Sequence, residues 1–327
     1  MSEAQRKTSR VSDPMIDNQT DPRVHVDLAH LRRFAGKARD LRFLPKQPVR
    51  SVLNGRSASA LRGRGLDFEE LRGYLPGDDV RNIDWKVTAR TGEPHVRVFT
   101  EERDRPALIV VDQRMSMFFG SKLNMKSVTA AEAAALIAFR VLDQGDRLGG
   151  IVFNDHGMTE IRPKRGSSAA QGFLSALATA NMALAADAEN VEPLPIREPL
   201  RTVARIARRD HLIIIISDFD GIGRRSERLI SGLSRHNDVI LCPVNDPMTL
   251  NPPADLRLAA SDGRLQAEID TSDKTVLQAL TQLSEAHSEA LESWSRKFRI
   301  PLMPLSAAEE TVPQIRKLLG ATARRTR

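Results

Sequence analysis

The chain has 327 residues, 41% hydrophobic and 28% charged, enough for one large or two modest domains with buried cores. A single cysteine, Cys242, excludes a disulfide framework, a cysteine-rich zinc site and an iron–sulfur cluster, and fits a reducing compartment, so a cytoplasmic location is expected. The net charge of +7 is not pooled on a folded face: residues 1–105 carry 21 Lys/Arg against 16 Asp/Glu, the last twelve residues carry five basics and no acid, and 106–315 is net negative by 3, so nucleic acid is not the expected partner.

Residues 1–22 are polar and contain proline, and read as a disordered N-terminal tail without a signal-peptide core. From Val26 to Phe43, Leu28, Leu31, Phe34, Ala35 and Leu41 recur at helical spacing and Pro45 closes the run, which predicts one amphipathic helix. Residues 51–105 are glycine-punctuated and densely charged, with no clean period until His95–Phe99 alternates like a strand. The longest apolar runs, such as Leu212–Ile216, fall far short of the roughly 20 residues a membrane helix needs, so no span is expected.

After Pro106 the pattern becomes regular. Ala107–Val111 is a β-branched-rich run ending in Asp112, as a strand buried on both faces would be. A helix over Lys126–Leu142 follows, then a strand at Arg147–Phe153 with His156–Arg162 pairing back on it. Helices are predicted over Ser168–Ala180 and Pro199–Arg209, and His211–Ile216 is the most apolar strand, leading into Ser217-Asp218-Phe219-Asp220-Gly221. Beyond it come a helix (Ser226–Arg235), a strand (Asp238–Val244), a hairpin around Asp262-Gly263, a long helix (Lys274–Lys297), a strand (Ile300–Leu305) and a helix (Ala308–Leu319). Alternation at this spacing predicts an α/β fold with a doubly wound, mostly parallel sheet whose ligands meet the carboxyl ends of its strands. The domain organisation reads as tail 1–22, amphipathic helix and irregular module 23–105, α/β domain 106–320, and a basic tail 321–327.

Asp112, Ser116 and Asp218 follow the two most apolar strands and could converge with hydroxyl and carboxylate oxygens, the donor type that suits Mg²⁺ or Mn²⁺. The arrangement resembles the von Willebrand factor A fold, whose metal-ion-dependent adhesion site (MIDAS) uses Asp-x-Ser-x-Ser, a threonine from a second loop and an aspartate from a third. Arg114 stands where the first serine would be, and only Ser167, Ser168 or a deep-lying Thr179 offers a second-loop hydroxyl, so the resemblance implies a degenerate site with no cofactor, Mg²⁺ being disfavoured by Arg114. Two placements of Arg114 are open: in solvent, or between Asp112 and Asp218 in place of the cation. The edge formed by Asp112, Arg114, Ser116, Asp218 and Asp220, with loops 113–121, 165–168 and 218–225, is the expected partner face.

Upstream, Gly63 to Arg90 contains Arg72, Tyr74, Pro76-Gly77-Asp78-Asp79, Arg81, Asp84, Trp85, Lys86 and Arg90. This stretch, continuing through Val98-Phe99 and Glu101-Glu102 to Asp246-Pro247, resembles the signature of the MoxR-associated domain-of-unknown-function family 58. Physically, Pro76-Gly77 is a turn, and Arg72, Arg81, Lys86 and Arg90 face Asp67, Glu69, Asp78, Asp79 and Asp84, with Tyr74 and Trp85 as apolar footing. A structural ion-pair network is the simplest account, a recognition surface the other. No nucleophile or histidine is placed beside the carboxylates, no histidine pair has metal spacing, and Gly120-Ser121-Lys122 lacks the glycine spacing of a phosphate-binding loop, so no enzyme is expected. The resemblance implies a non-enzymatic adaptor between a MoxR-type AAA+ ATPase and an unidentified client protein. The alternatives are a metal-dependent enzyme or metal-dependent ligand-binding protein using Asp112, Ser116 and Asp218, and a nucleic-acid binder using the basic tail.

Overall fold

The structure, a computed structural model, describes residues 21–39, 41, 66–101, 106–186, 191–254, 257–261 and 266–324. It begins with two short helices, α1 (Leu28–Arg32) and α2 (Phe34–Ala38). A hairpin follows, β1 (Leu66–Gly73) and β2 (His95–Glu101), whose connection carries a 3-10 turn (Val80–Asn82) and α3 (Trp85–Thr91). Next come β3 (Ala107–Asp112), α4 (Lys126–Asp143), β4 (Leu148–Asn154), β5 (Gly157–Lys164), α5 (Ser167–Met182), α6 (Arg197–Ile206) and β6 (Leu212–Ser217). The chain continues through α7 (Arg224–Ser234), β7 (Asp238–Asn245), α8 (Pro247–Leu250), β8 (Arg257–Ser261), β9 (Gln266–Asp270), α9 (Lys274–Phe298), β10 (Leu305–Ser306) and α10 (Thr311–Arg324). Among the described residues no helix is long and apolar enough to cross a membrane.

Six strands form one sheet in the order β10-β7-β6-β3-β4-β5, with β5 alone antiparallel. The continuous apolar run of β3 is explained by burial on both faces. Ala107, Ile109 and Val111 pack with α4 and α5 on one side, while Leu108 and Val110 pack with residues of α6, α7 and α9 on the other. Helix α4 is alanine-rich because it is enclosed nearly all round: Ala130, Ala131, Ala133, Ala134, Ala135 and Ala138 are all buried. Its one buried acid, Glu132, accepts from Thr311 Oγ1 at 2.5 Å and lies 2.8 Å from His30 Nε2.

The single helix expected over Val26–Phe43 is instead two five-residue pieces. They break at Arg33, whose N–H bonds the carbonyls of His30 and Leu31 rather than continuing an unbroken ladder. Leu31, Phe34, Ala38 and Leu41 are buried and Leu28 partly so, while Ala35 is exposed. Because these side chains join the core shared with α4 and α5, residues 26–41 belong to the sheet domain and not with the module that follows. The strand expected at Ile300–Leu305 shrinks to Leu305–Ser306 plus one bridge from Leu302 to Leu241, since Pro301 and Pro304 have no N–H to donate. Helix α10 runs past the expected Leu319 to Arg324, so it takes in much of the supposed basic tail. The remaining tail residues 325–327, tail residues 1–20, and the turn at Asp262-Gly263 lie outside the described residues, although the flanking β8 and β9 do pair.

Gly150 on β4 lets the Phe173 ring of α5 approach the sheet: a Cβ there would come within 2.4 Å of the ring. Overpacking of this kind costs about 1–3 kcal/mol. Gly150→Ala is therefore expected to lower the urea midpoint by that equivalent, and adding Phe173→Leu to recover part of the loss.

Candidate functional site

Strands β3 and β6 are adjacent and parallel, with Val111 opposite Ile216, so their carboxyl ends bring Asp112 beside Ser217-Asp218. Ser217 Oγ donates to Asp112 Oδ2 at 2.6 Å and accepts from the Phe219 N–H at 2.8 Å. Phe219 takes a left-handed φ of +59°, uncommon for a bulky residue, and its ring is buried in the core below.

The structure places Arg114 inside. Its guanidinium is 3% exposed and grips Asp112 with two parallel bonds, Nε to Oδ1 at 3.0 Å and Nη2 to Oδ2 at 2.7 Å, while its backbone N–H also donates to Oδ1 at 3.0 Å. The remaining donors reach the carbonyls of Leu194 and Asp220, each at 3.3 Å, and the Phe153 ring lies under the guanidinium at 5.5 Å. Asp218 Oδ1 is 3.7 Å from Nη2. A second buried cation, Lys126, meets Asp218 Oδ2 at 2.8 Å. A lysine in the first turn of a helix opposes the helix dipole, which the Asp218 carboxylate offsets. Two carboxylates and two cations thus cancel inside the protein. Burial pushes the Asp112 carboxyl up from its ordinary value and Arg114 opposes it; with four donors making five hydrogen bonds to its oxygens we assign it as the carboxylate. For Arg114 and Asp218 burial is outweighed by the partner: Asp112 holds the guanidinium above its ordinary value, and Lys126 holds the Asp218 carboxyl below its own.

These residues do not fit a hard divalent cation. Both Asp112 oxygens are bonded to Arg114, Asp218 Oδ2 to Lys126, and Asp218 Oδ1 accepts from the Asp220 N–H at 3.0 Å. Ser116 Oγ is buried without a hydrogen-bond partner, and no group of three His, Cys, Asp or Glu suited to a metal occurs among the described residues. Asp220 itself is exposed; its backbone makes the hydrogen bonds, and its carboxylate acts on Arg114 through its charge.

The second loop expected at this edge is not there. Lys164, which ends β5, pairs with Leu148 at the start of β4, so the antiparallel return carries residues 165–168 to the opposite end of the sheet. The turn after β4 takes their place, with Asp155 Oδ2 accepting from the Met115 N–H at 2.6 Å. Asp246 after β7 fastens the same rim by accepting from Ser121 N and Oγ and from Met248 N. Lys126, Ser217 and Asp155 were missed as site residues. Lys126 opens a helix, where a cation is usually a solvated surface group, and only its tertiary pairing marks it.

In the module, Arg72 holds Asp78 with two bonds of 2.8 Å, and Asp78 also accepts from the Leu75 N–H across the Gly77 turn, where φ is +106°. Asp79 caps the 3-10 turn through the Arg81 N–H, and Tyr74, half-buried, donates its N–H to Pro94. Asp84 caps α3 through the Lys86 and Val87 N–H groups and pairs with Arg97 at 2.7 Å, a partner the sequence pattern did not single out. Two expectations fail: Trp85 is 68% exposed and gives no apolar footing, and the side chains of Arg81, Lys86 and Arg90 are exposed and meet no carboxylate among the described residues. Side chains of Asp67 and Glu69 lie outside the described residues.

Residues 70–290 match the model of a family described as protein of unknown function DUF58. Uncharacterized proteins of Mycobacterium bovis and of two Mycobacterium tuberculosis strains are each 30% identical over 298 residues, covering 89% of this chain and 90% of the relative. A crystal structure described as conserved hypothetical protein BatB from Bacteroides thetaiotaomicron aligns with 67% of this chain and 99% of its own at 13% identity and a TM-score of 0.38, too distant a likeness to carry an argument.

Removing one partner from a buried ion pair costs about 3–5 kcal/mol because the other charge is stranded. Asp218→Ala is expected to lose stability in that range in denaturant melts, with Asp218→Ala/Lys126→Met recovering much of it. In the module, Arg72 holds the Asp78 carboxyl below its ordinary 3.8, so this pair's stabilisation is fully present above pH 3.8 and is lost as pH falls through the depressed folded value. Carbon-13 NMR titration should show the Asp78 carboxyl rising toward 3.8 in Arg72→Ala.

Proposed function

We propose that this chain, which belongs to the DUF58 family, is a non-enzymatic interaction protein with a von Willebrand factor A-like sheet and a degenerate, metal-independent MIDAS. The observation that carries this reading is the pairing of Asp112 and Asp218 with Arg114 and Lys126, at 2.7 and 2.8 Å, which commits the strand-end oxygens to side-chain cations. A hydrolytic or Lewis-acid centre needs an open coordination position, or a nucleophile beside a base. Here the carboxylates are saturated by donors. The pairing also changes the expected partner face, because a guanidinium 3% exposed cannot present its charge to an incoming carboxylate.

The partner proposed from the signature is a MoxR-type AAA+ ATPase, with the chain acting as adaptor between it and a client in assembly or maturation, in the cytoplasm. What supports this is the signature's extent: the Arg72–Asp78 clasp, the Asp79 and Asp84 caps and the Asp246 tie all use residues that the resemblance singles out. The clasp and the two caps hold the module's turn and α3 in place, and the Asp246 tie holds the rim of the sheet.

Two measurements test the proposal. Calorimetric titration with millimolar Mg²⁺ or Mn²⁺ is expected to give no one-site heat with the wild type, and clear stoichiometric binding would return the site to metal chemistry. Size-exclusion chromatography with a purified MoxR-type ATPase from the same genome, with and without ATP, is expected to show co-elution; separate elution in both nucleotide states would remove the ATPase from the proposal.

A further inference from the structure

The module's outer face differs from the rest of the surface. Leu75 is 60% exposed, Val80 58% and Trp85 68%, three of the most exposed large hydrophobic side chains among the described residues, and all fall within the one connection between β1 and β2. Scattered single exposures need no explanation, but large apolar groups gathered within a few residues do. In α3 the successive 100° steps put Trp85, Ala89, Lys86 and Arg90 on one arc of about 140°, all exposed, with Val87 and Thr88 turned to the other side and half-buried. Two of the carboxylates in the same connection are already paired with other arginines. Asp78 is held by Arg72, Asp79 caps a turn, and Asp84 caps α3 and binds Arg97. Among residues 74–97 this leaves Asp79 and Glu93 against the exposed side chains of Arg81, Lys86 and Arg90, a net positive balance.

We propose that this face docks an acidic segment of a partner protein, one that sets carboxylates beside at least one aliphatic or aromatic side chain. Charge selects this occupant over the alternatives. Residues 42–65 of this chain carry six Lys/Arg and no Asp/Glu, so they would repel a cationic face. A second copy docking face to face would oppose the same cations. Phosphates of a nucleic acid would engage the cations but leave Leu75 and Val80 uncovered. Trp85 is the anchor, since tryptophan and arginine are the residue types that most often dominate protein interfaces. The inference rests on the interaction-protein reading but not on the ATPase as partner, and its test uses no ATPase.

Trp85 reports its own occupancy. Trp294 is the other tryptophan, buried at 5% exposure, and Trp294→Phe in the full chain isolates the Trp85 emission. The probe is a short synthetic peptide of alternating Glu and Leu; controls are its Lys-for-Glu and Ser-for-Leu counterparts and single-stranded oligothymidylate. Saturable binding of the Glu/Leu peptide is expected, with a blue shift of Trp85 emission and loss of iodide quenching. Affinity should fall about tenfold or more in Lys86→Glu/Arg90→Glu and in Trp85→Ala, the latter read by fluorescence anisotropy of labelled peptide, and be retained in Trp85→Phe. Circular dichroism melts equal to wild type would show that these variants fold. The proposal is overturned if the Glu/Leu peptide does not bind, if the Ser-for-Leu peptide or oligothymidylate binds equally well, or if the blue shift follows protein concentration without peptide, which would mean self-association.

Discussion

A buried square of charge organises the carboxyl end of the sheet: Asp112, Arg114, Lys126 and Asp218, two of each sign and almost wholly withdrawn from water. Arg114 opens the connection after β3, Lys126 stands where that connection enters α4, and Asp218 follows β6, so both ends of one loop are tied to the start of another. Charges in such a place are tolerated only when matched and hydrogen-bonded, and the spare donors and acceptors here are taken up by Ser217, the Asp220 backbone and the Leu194 carbonyl. The rest of the rim follows from this fixed point: Asp155 and Asp246 pin the loops on either side.

The same economy of polar groups recurs in the module. There, carboxylates do the work of backbone capping and fix the turn and α3 between the two strands. Val96 is its one fully buried hydrophobic side chain among those described, and the hairpin depends on Asp78, Asp79 and Asp84 to fix the 3-10 turn and α3 between its strands. Because Asp78 and Asp84 are paired within, Leu75, Val80 and Trp85 stand exposed beside the unpaired cations Arg81, Lys86 and Arg90 among the described residues.

The sheet strands were legible because burial on both faces leaves a continuous apolar run, and β3 and β6 stand where Ala107–Val111 and His211–Ile216 predict them. Convergence of Asp112 with Asp218 was also readable, since neighbouring parallel strands bring their ends together. The direction of Arg114 was not: a side chain with several rotatable bonds can turn either way until the floor of Phe153 and the carbonyl of Leu194 are in place. Residues 165–168 were misplaced although the hairpin return that moves them was itself expected, so the error lay in applying a parallel-strand rule across an antiparallel strand. Arg97 escaped notice because its link to Asp84 crosses from a strand to a helix cap, a pairing no local period reports.

Glu132 carries a consequence for how the chain reaches its native state. Its two side-chain partners lie 102 residues before it, at His30, and 179 residues after it, at Thr311. During vectorial synthesis α1 and α2 emerge long before the face of α4 on which they pack, and α10 emerges after the whole sheet. The carboxylate that joins them is therefore satisfied only after the chain from His30 to Thr311 has been made, and α1, α2 and α10 close over α4 as a late, long-range step.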